Sequence, residues 1–251
     1  MTGMSVATGG PTREYVRGRR GPLFYVGLVM VVAGLGVLGY VGWQFYGTNI
    51  VAQQTQQRVV ADLRQDWRAD GSTGTGARPA GEPTERTEER RTRPGKASAL
   101  LRVPRFGSDY VVPVLEGIGD KELASGYGHF PGTAGPGETG NYALAAHRVT
   151  HGEPLRDMPR LRPGDKVVVE TRDAVYTYRL DTNPNDLVVT FEDIWVIDPV
   201  PANPRPGGTQ PPSQEPGQKL ITLTTCAELF HTDNRMIAFG HLVDTDRKRS
   251  Q

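Results

Sequence analysis

Residues 23–46, LFYVGLVMVVAGLGVLGYVGWQFY, carry no charge, and Gln44 is their one strongly polar side chain. About 20 helical residues cross the hydrocarbon of a bilayer, so a run this long and this apolar predicts a membrane-spanning helix. Tyr25 near one end and Tyr40, Trp43 and Tyr46 near the other suit the two interfaces, where amphipathic rings are favoured. Arg13, Arg17, Arg19 and Arg20 precede the run, and no Lys or Arg follows it until Arg58. The positive-inside rule therefore expects residues 1–22 to be a cytoplasmic tail and everything after the anchor to lie outside the cell. A cleaved signal peptide would have a shorter apolar region and a small-x-small exit, which residues 46–57 do not offer.

Residues 47–99 read as a linker. Weak helical character over residues 53–67 gives way, from residue 69 to residue 99, to Gly, Ser, Thr, Pro, Asp, Glu, Arg and Lys with a few Ala and no large apolar side chain. Such a segment cannot bury enough surface to offset its ordering entropy, so a disordered tether with a reach of roughly 30 Å is expected. Residues 100–246 are then the folded domain, and 247–251 a tail. That domain is dense in short β-type runs, among them DYVVPVLEG, DKVVVET, AVYTYRL, DIWVI and KLITLTTC, with turn signals such as Arg162-Pro163-Gly164-Asp165 between them. Only residues 120–125 and 153–161 look helical. The fold class is mainly β: an antiparallel barrel or sandwich of roughly eight strands.

Charge and cysteine content narrow the function. Lys and Arg number 29 against 28 Asp and Glu, a net charge of +1 that gives no reason to expect nucleic acid as a partner. One cysteine rules out an intramolecular disulfide framework, so the fold must rest on an apolar core. A lone Cys is ordinarily an inert buried residue. Its neighbours argue otherwise. Thr222-Leu223-Thr224-Thr225-Cys226 ends one strand and Arg235 opens the next; if the two are antiparallel neighbours, thiol and guanidinium share one end of the sheet. A guanidinium favours thiolate over thiol and can donate to an oxyanion. The strand Ala143-Leu144-Ala145-Ala146 ends in His147, which as imidazolium can protonate a leaving amine and as imidazole deprotonate an incoming one.

These residues carry a resemblance. Thr222 to Cys226 matches the Thr-Leu-x-Thr-Cys signature of sortases, Arg235 lies where their arginine lies, and Ala-Ala-His147-Arg-x-Thr-His-Gly is similar to their histidine segment. The resemblance implies a closed eight-stranded sortase β-barrel in which Cys226, His147 and Arg235 are catalytic. It further implies a cysteine transpeptidase that cleaves a sorting signal between Thr and Gly through a thioester on Cys226, then passes the acyl part to an amine of a peptidoglycan precursor (lipid II). The implied partners are surface proteins bearing such signals, together with the membrane through the N-terminal helix of a Gram-positive cell.

The finer resemblance is to class E, the housekeeping sortases of high-GC actinobacteria, through Gly128-His129-Phe130-Pro131-Gly132-Thr133-Ala134, Pro136-Gly137-Glu138 and Gly140-Asn141. That class is associated with Leu-Ala-x-Thr-Gly signals in place of Leu-Pro-x-Thr-Gly, and its pattern has Tyr where this chain has Phe130. Tyr127, His129, Phe130, Thr224 and Thr225 are expected on the substrate side. Pilus-polymerising sortases carry a lid with Asp-Pro-aromatic; here Asp66-Trp67 lacks the proline and the tether is too polar to close a cleft.

No cofactor or metal is expected: His147 and His151 form an H-x3-H pair, but the Glu of H-E-x-x-H is missing, and residues 126–140 fail both phosphate-loop patterns. His231 and His241 have no evident partner. The proline-rich residues 183–217, with a possible strand at 193–197, are a candidate wall of the signal groove. Two other classes remain at this point. An L,D-transpeptidase would usually set its cysteine in a His-Gly-Cys context, and an anchored non-catalytic binding domain would tolerate loss of Cys226.

Overall fold

The structure, a computed structural model, describes residues 21–43, 47–72, 95–208, 210–211, 217–228 and 233–248. It divides into two compact units, residues 1–43 and 44–251. The described part of the first is a single helix, α1 (Pro22–Gly42), with Pro at its opening turn and no buried residue. Proline is favoured there because its missing N–H would be unpaired in any case. The 21-residue helix is about 32 Å long, a bilayer's hydrocarbon thickness, and it is apolar all round. The expected end of the span, at residues 44–46, lies outside the described residues.

The second unit opens with α2 (Thr48–Ser72). Ala52, Gln56, Val60 and Leu63 are buried and Trp67 partly so, a spacing of three and four that places them on one face. That face packs on Leu100, with Ala97 and Val111 at its margin, and Lys248 sits 4.6 Å from the Trp67 ring centre. The expected linker is thus ordered over residues 48–72 and docked on the domain. The rest of the expected tether, residues 73–94, lies outside the described residues.

The domain itself begins at β1 (Ala97–Arg102), ahead of the expected start at residue 100. It continues through β2 (Val112–Glu116), α3 (Asp120–Ser125), β3 (Tyr127–His129), β4 (Gly140–Ala145), β5 (Lys166–Glu170), β6 (Ala174–Leu180), β7 (Val188–Thr190), β8 (Lys219–Cys226) and β9 (Asn234–Arg247). The strands run in the order β6-β5-β1-β2-β3-β4-β8-β9, and β6 pairs again with β9, which closes an eight-stranded barrel; β7 is added outside, on β9. The barrel is mixed, since β2–β3 and β4–β8 are parallel and the other pairs antiparallel. Parallel neighbours need a crossover: α3 supplies one, and the long excursion from β4 to β8 the other.

Side chains alternate across each strand, and one set fills the barrel: Tyr142 and Leu144 from β4, Ile221 and Leu223 from β8, Met236 and Ala238 from β9. A second, smaller cluster lies on the opposite face of β9, where Ile237 and Phe239 pack against Leu187, Val189, Trp195 and Val196. Residues 194–197 form a 3-10 turn, not the strand expected at 193–197, because Trp195 and Val196 are buried against the barrel wall without joining a ladder. Residues 153–161 likewise contain only a 3-10 turn, at Met158–Arg160.

Candidate active site

The alternation that builds the core also assembles the site. On β8, Ile221 and Leu223 point into the barrel, so Thr222, Thr224 and Cys226 face outward. On β9, Met236 and Ala238 point in, so Arg235 faces out. On β4, Tyr142, Leu144 and Ala146 point in, and the same alternation carries His147 to the outside. Cys226 and Arg235 are direct partners in the β8–β9 ladder. Ala145 pairs with Thr224 in the parallel β4–β8 ladder, and Ala146 N–H donates to Thr224 O at 3.2 Å, which brings His147 alongside Cys226. The lateral order is therefore His147, Cys226, Arg235, with the half-buried thiol in the middle.

Several contacts fix these strand ends. The Thr225 hydroxyl, pointing inward and buried, donates to Ala146 O at 2.7 Å, tying the residue before the cysteine to the residue before the histidine. Arg148, next to His147, donates through Nη1 to Ala227 O, with Cys226 O 3.5 Å away. Its Nε is buried and has no partner among the described residues. Sequence reasoning did not single out Arg148, although it stands inside the histidine motif. The Arg235 guanidinium donates to its neighbour's carbonyl, Asn234 O, at 2.9 Å.

His147 is half-buried, and its ring stacks on His151 with centroids 4.7 Å apart and planes 28° apart. Stacked rings do not converge on a common ion, and no group of three or more His, Cys, Asp or Glu suited to a metal occurs among the described residues. Burial, and then the neighbouring His151, push the His147 pKa down to about 4, with Asp120 acting in the opposite direction. At neutral pH this imidazole is uncharged and able to accept a proton. An imidazole next to a thiol can convert it to the thiolate, which is the nucleophilic form, and a guanidinium on the other side can stabilise negative charge.

The expected substrate-side residues fall into different places. Thr224 is buried on the outer face of β8. Phe130 is partly exposed, and its N–H donates to Ala143 O at 3.0 Å. His129 is buried, with Nδ1 2.8 Å from Glu116 and Nε2 3.0 Å from both Ala134 O and the Thr133 hydroxyl. Its ring therefore stands within the wall, not on a surface. Tyr127 is fully buried in the barrel; its hydroxyl lies 2.7 Å from that of Tyr110, which donates to Pro154 O. Through Tyr110, Tyr127 is thus linked to the loop that follows His147. His241, which had no partner in the sequence, holds Asp181 at 2.6 Å, and His231 lies outside the described residues.

Residues Leu187, Val189, Trp195 and Val196 pack on Ile237 and Phe239, which share the outer face of β9 with Arg235. Asn141 on β4 donates to Val196 O and Asp198 O at 3.2 and 3.1 Å, and Thr222 donates to Asn141 Oδ1 at 2.9 Å. Further out, Arg205 and Thr190 both engage Asp193.

A family model for the sortase domain matches residues 101–243, from within β1 to within β9. The chain belongs to the sortase family. It is 35% identical to Sortase SrtE1 of Streptomyces coelicolor over 90% of its length, and spans 58% of that relative. It is 27% identical to Sortase SrtE2 of the same organism over 92% of its length, and spans 88% of it. Among solved structures, sortase E of Streptomyces avermitilis is 39% identical with a TM-score of 0.53, the match covering 62% of this chain and 93% of that one. Sortase E1 of Streptomyces coelicolor, determined with a tripeptide in its active site, is 36% identical with a TM-score of 0.52 over the same shares.

Proposed function

We propose that this chain is a membrane-anchored transpeptidase of the class E type. It would cut a C-terminal sorting signal between Thr and Gly and transfer the protein to an amine of the cell-wall precursor lipid II. The observation that carries the reading is Cys226 opposite Arg235 in the β8–β9 ladder, with His147 just past the end of β4, the strand beside β8. A solved relative with a tripeptide in its active site supports a peptide as the ligand. α1, preceded by Arg13, Arg17, Arg19 and Arg20, supports an anchor with the catalytic domain outside the cell.

In the first half-reaction, neutral His147 takes the thiol proton and the Cys226 thiolate attacks the Thr carbonyl carbon. Arg235 donates to the oxyanion of the tetrahedral intermediate. As the intermediate collapses, the C–N bond breaks and the His147 imidazolium delivers its proton to the departing Gly nitrogen, leaving a thioester. In the second half, His147 removes a proton from the incoming amine, whose nitrogen attacks the thioester and expels the Cys226 thiolate; His147 then returns the proton to sulfur. Residues 183–217, of which 209 and 212–216 lie outside the described residues, form one wall of the groove in this reading. Shortening their outer part raises KM more than it lowers kcat.

The test is to incubate the full chain in detergent with fluorogenic Leu-Ala-x-Thr-Gly and Leu-Pro-x-Thr-Gly peptides and an amine. Mass spectrometry then looks for acyl-Cys226. Cys226→Ala and His147→Ala abolish transfer, and Arg235→Ala lowers kcat by roughly two to three powers of ten. Folded protein that forms no adduct with either peptide would refute the proposal, and near-full activity in Arg235→Ala would remove its assigned role.

A further inference from the structure

The loop that follows His147 has an unusual backbone. His151, Gly152 and Glu153 have φ of 54°, 80° and 52°, three successive residues in the left-handed region, two of them not glycine. L residues do not hold such a run unaided; the surroundings must impose it. Much of what imposes it comes from α2. Asn49 accepts from Gly152 N–H at 3.0 Å and donates to Glu153 Oε1 at 2.6 Å. Gln56 donates to His151 O at 3.2 Å. A Cβ on Gly152 would stand 2.7 Å from the Gln56 amide nitrogen, so helix and loop touch without a gap. From the barrel side, Tyr110 holds Pro154 O at 2.7 Å, and Leu155 N–H donates to His147 O at 3.0 Å.

Gln56 is the telling residue. It is buried on the same helix face as Ala52, Val60 and Leu63, a position where packing alone would select an apolar side chain. Its amide nitrogen donates to the carbonyl of His151, the residue whose ring lies on His147.

We propose that α2 is a positioning element of the active site: Asn49 and Gln56 hold the left-handed turn at His151–Glu153, and the turn holds the His151 ring against His147. This rests on the reading above in which His147 carries the proton. The stack excludes water from one face of the imidazole and keeps it neutral until the thiol proton arrives. Asp120 on α3 opposes that effect, while Cys226 adjoins the His147 side from β8 with Arg235 beyond it on β9, Arg148 follows His147 in the chain, and Glu153 is paired with Arg156.

The experiment is a 13C–1H NMR titration of the histidine rings in the full-length protein in detergent, with His147 assigned by difference. Wild type is compared with His151→Ala, Asn49→Ala/Gln56→Ala and the triple variant. Freeing the stack raises the His147 midpoint by roughly half a unit to one unit in both His151→Ala and the helix variant, because both burial and like-charge repulsion fall. The triple variant goes no higher than His151→Ala alone, since helix and ring act in series. Gln56→Met fills the same space without the donor and carries the test if the double variant does not fold. An unchanged midpoint in the helix variants, or shifts that add to that of His151→Ala, would overturn the proposal. The titration needs no turnover, so a wild-type protein that transfers nothing would sink the functional reading separately. If wild type does turn over, the acid limb of its kcat/KM profile moves up in the variants with the NMR midpoint.

Discussion

Thr225→Val tests whether the chain ends that carry His147 and Cys226 are locked to each other. Valine nearly reproduces the volume of threonine but removes the hydroxyl that donates to Ala146 O at 2.7 Å in a fully buried setting. Only one partner of the bond is deleted, so the Ala146 carbonyl is left without its donor, at a cost of about 1–3 kcal/mol. For a domain of this size that lowers Tm by roughly 3–9 °C. The kinetic effect is local, because the freed carbonyl is one peptide from His147 and the substituted residue is one peptide from Cys226. A displacement of about 1 Å between reacting groups costs up to ~100-fold, and kcat is expected to fall at least tenfold with little change in KM. Thr225→Ser keeps the bond and loses one methyl, about 0.8 kcal/mol, and retains kcat. Thermal unfolding by near-ultraviolet circular dichroism and steady-state transfer kinetics measure both. If Val and Ser variants match in Tm and kcat, the cross-strand bond does not hold the site together.

Other expectations follow from the same geometry. Gly137 has φ +75°, and a Cβ there would stand 2.0 Å from the Tyr176 ring; Gly137→Ala should lower stability by about 1–3 kcal/mol in a denaturant titration, and a wild-type midpoint would contradict the close contact. Leu63→Ala removes a buried anchor of α2 from Leu100 and should cost about 2–5 kcal/mol, read by hydrogen exchange as faster amides throughout α2. The depressed His147 pKa has a definite sign. The ring gains its proton only as pH falls through about 4, so as proton acceptor it fails below that value. The acid limb of kcat/KM is expected near pH 4–5, and a limb above pH 6 would argue against His147 as the base.

The outward placing of His147 and Cys226 was legible because a strand has a period of two. In Asn-Tyr-Ala-Leu-Ala-Ala-His147 and Leu-Thr-Thr-Cys226 the large apolar residues mark the inward set, and His147 and Cys226 fall in the other. The parallel pairing of β4 with β8 was not legible, since nothing local records which distant strand a β-strand adopts as neighbour. α2 was read as weakly helical at most because its docking face includes Ala52 and Gln56; an amide that is buried only because His151 O meets it looks, in sequence, like surface. Residues Ile194–Ile197 look like a strand by composition, yet their apolar side chains serve to cover Phe239 and its neighbours. Arg148 needed the position of Ala227 before its role in bracing the cysteine strand could be seen.

The outer wall carries a thermodynamic consequence. Residues 187–198 are already tied down: Ile237 N–H donates to Leu187 O, Phe191 N–H to Asp233 O, and Asn141 grips Val196 O and Asp198 O. A peptide that docked along this side would meet, at residues 187–198, a surface whose chain entropy was surrendered during folding. The heat-capacity change of a peptide binding there would follow the apolar area that peptide and wall bury together, with no added contribution from ordering of residues 187–198.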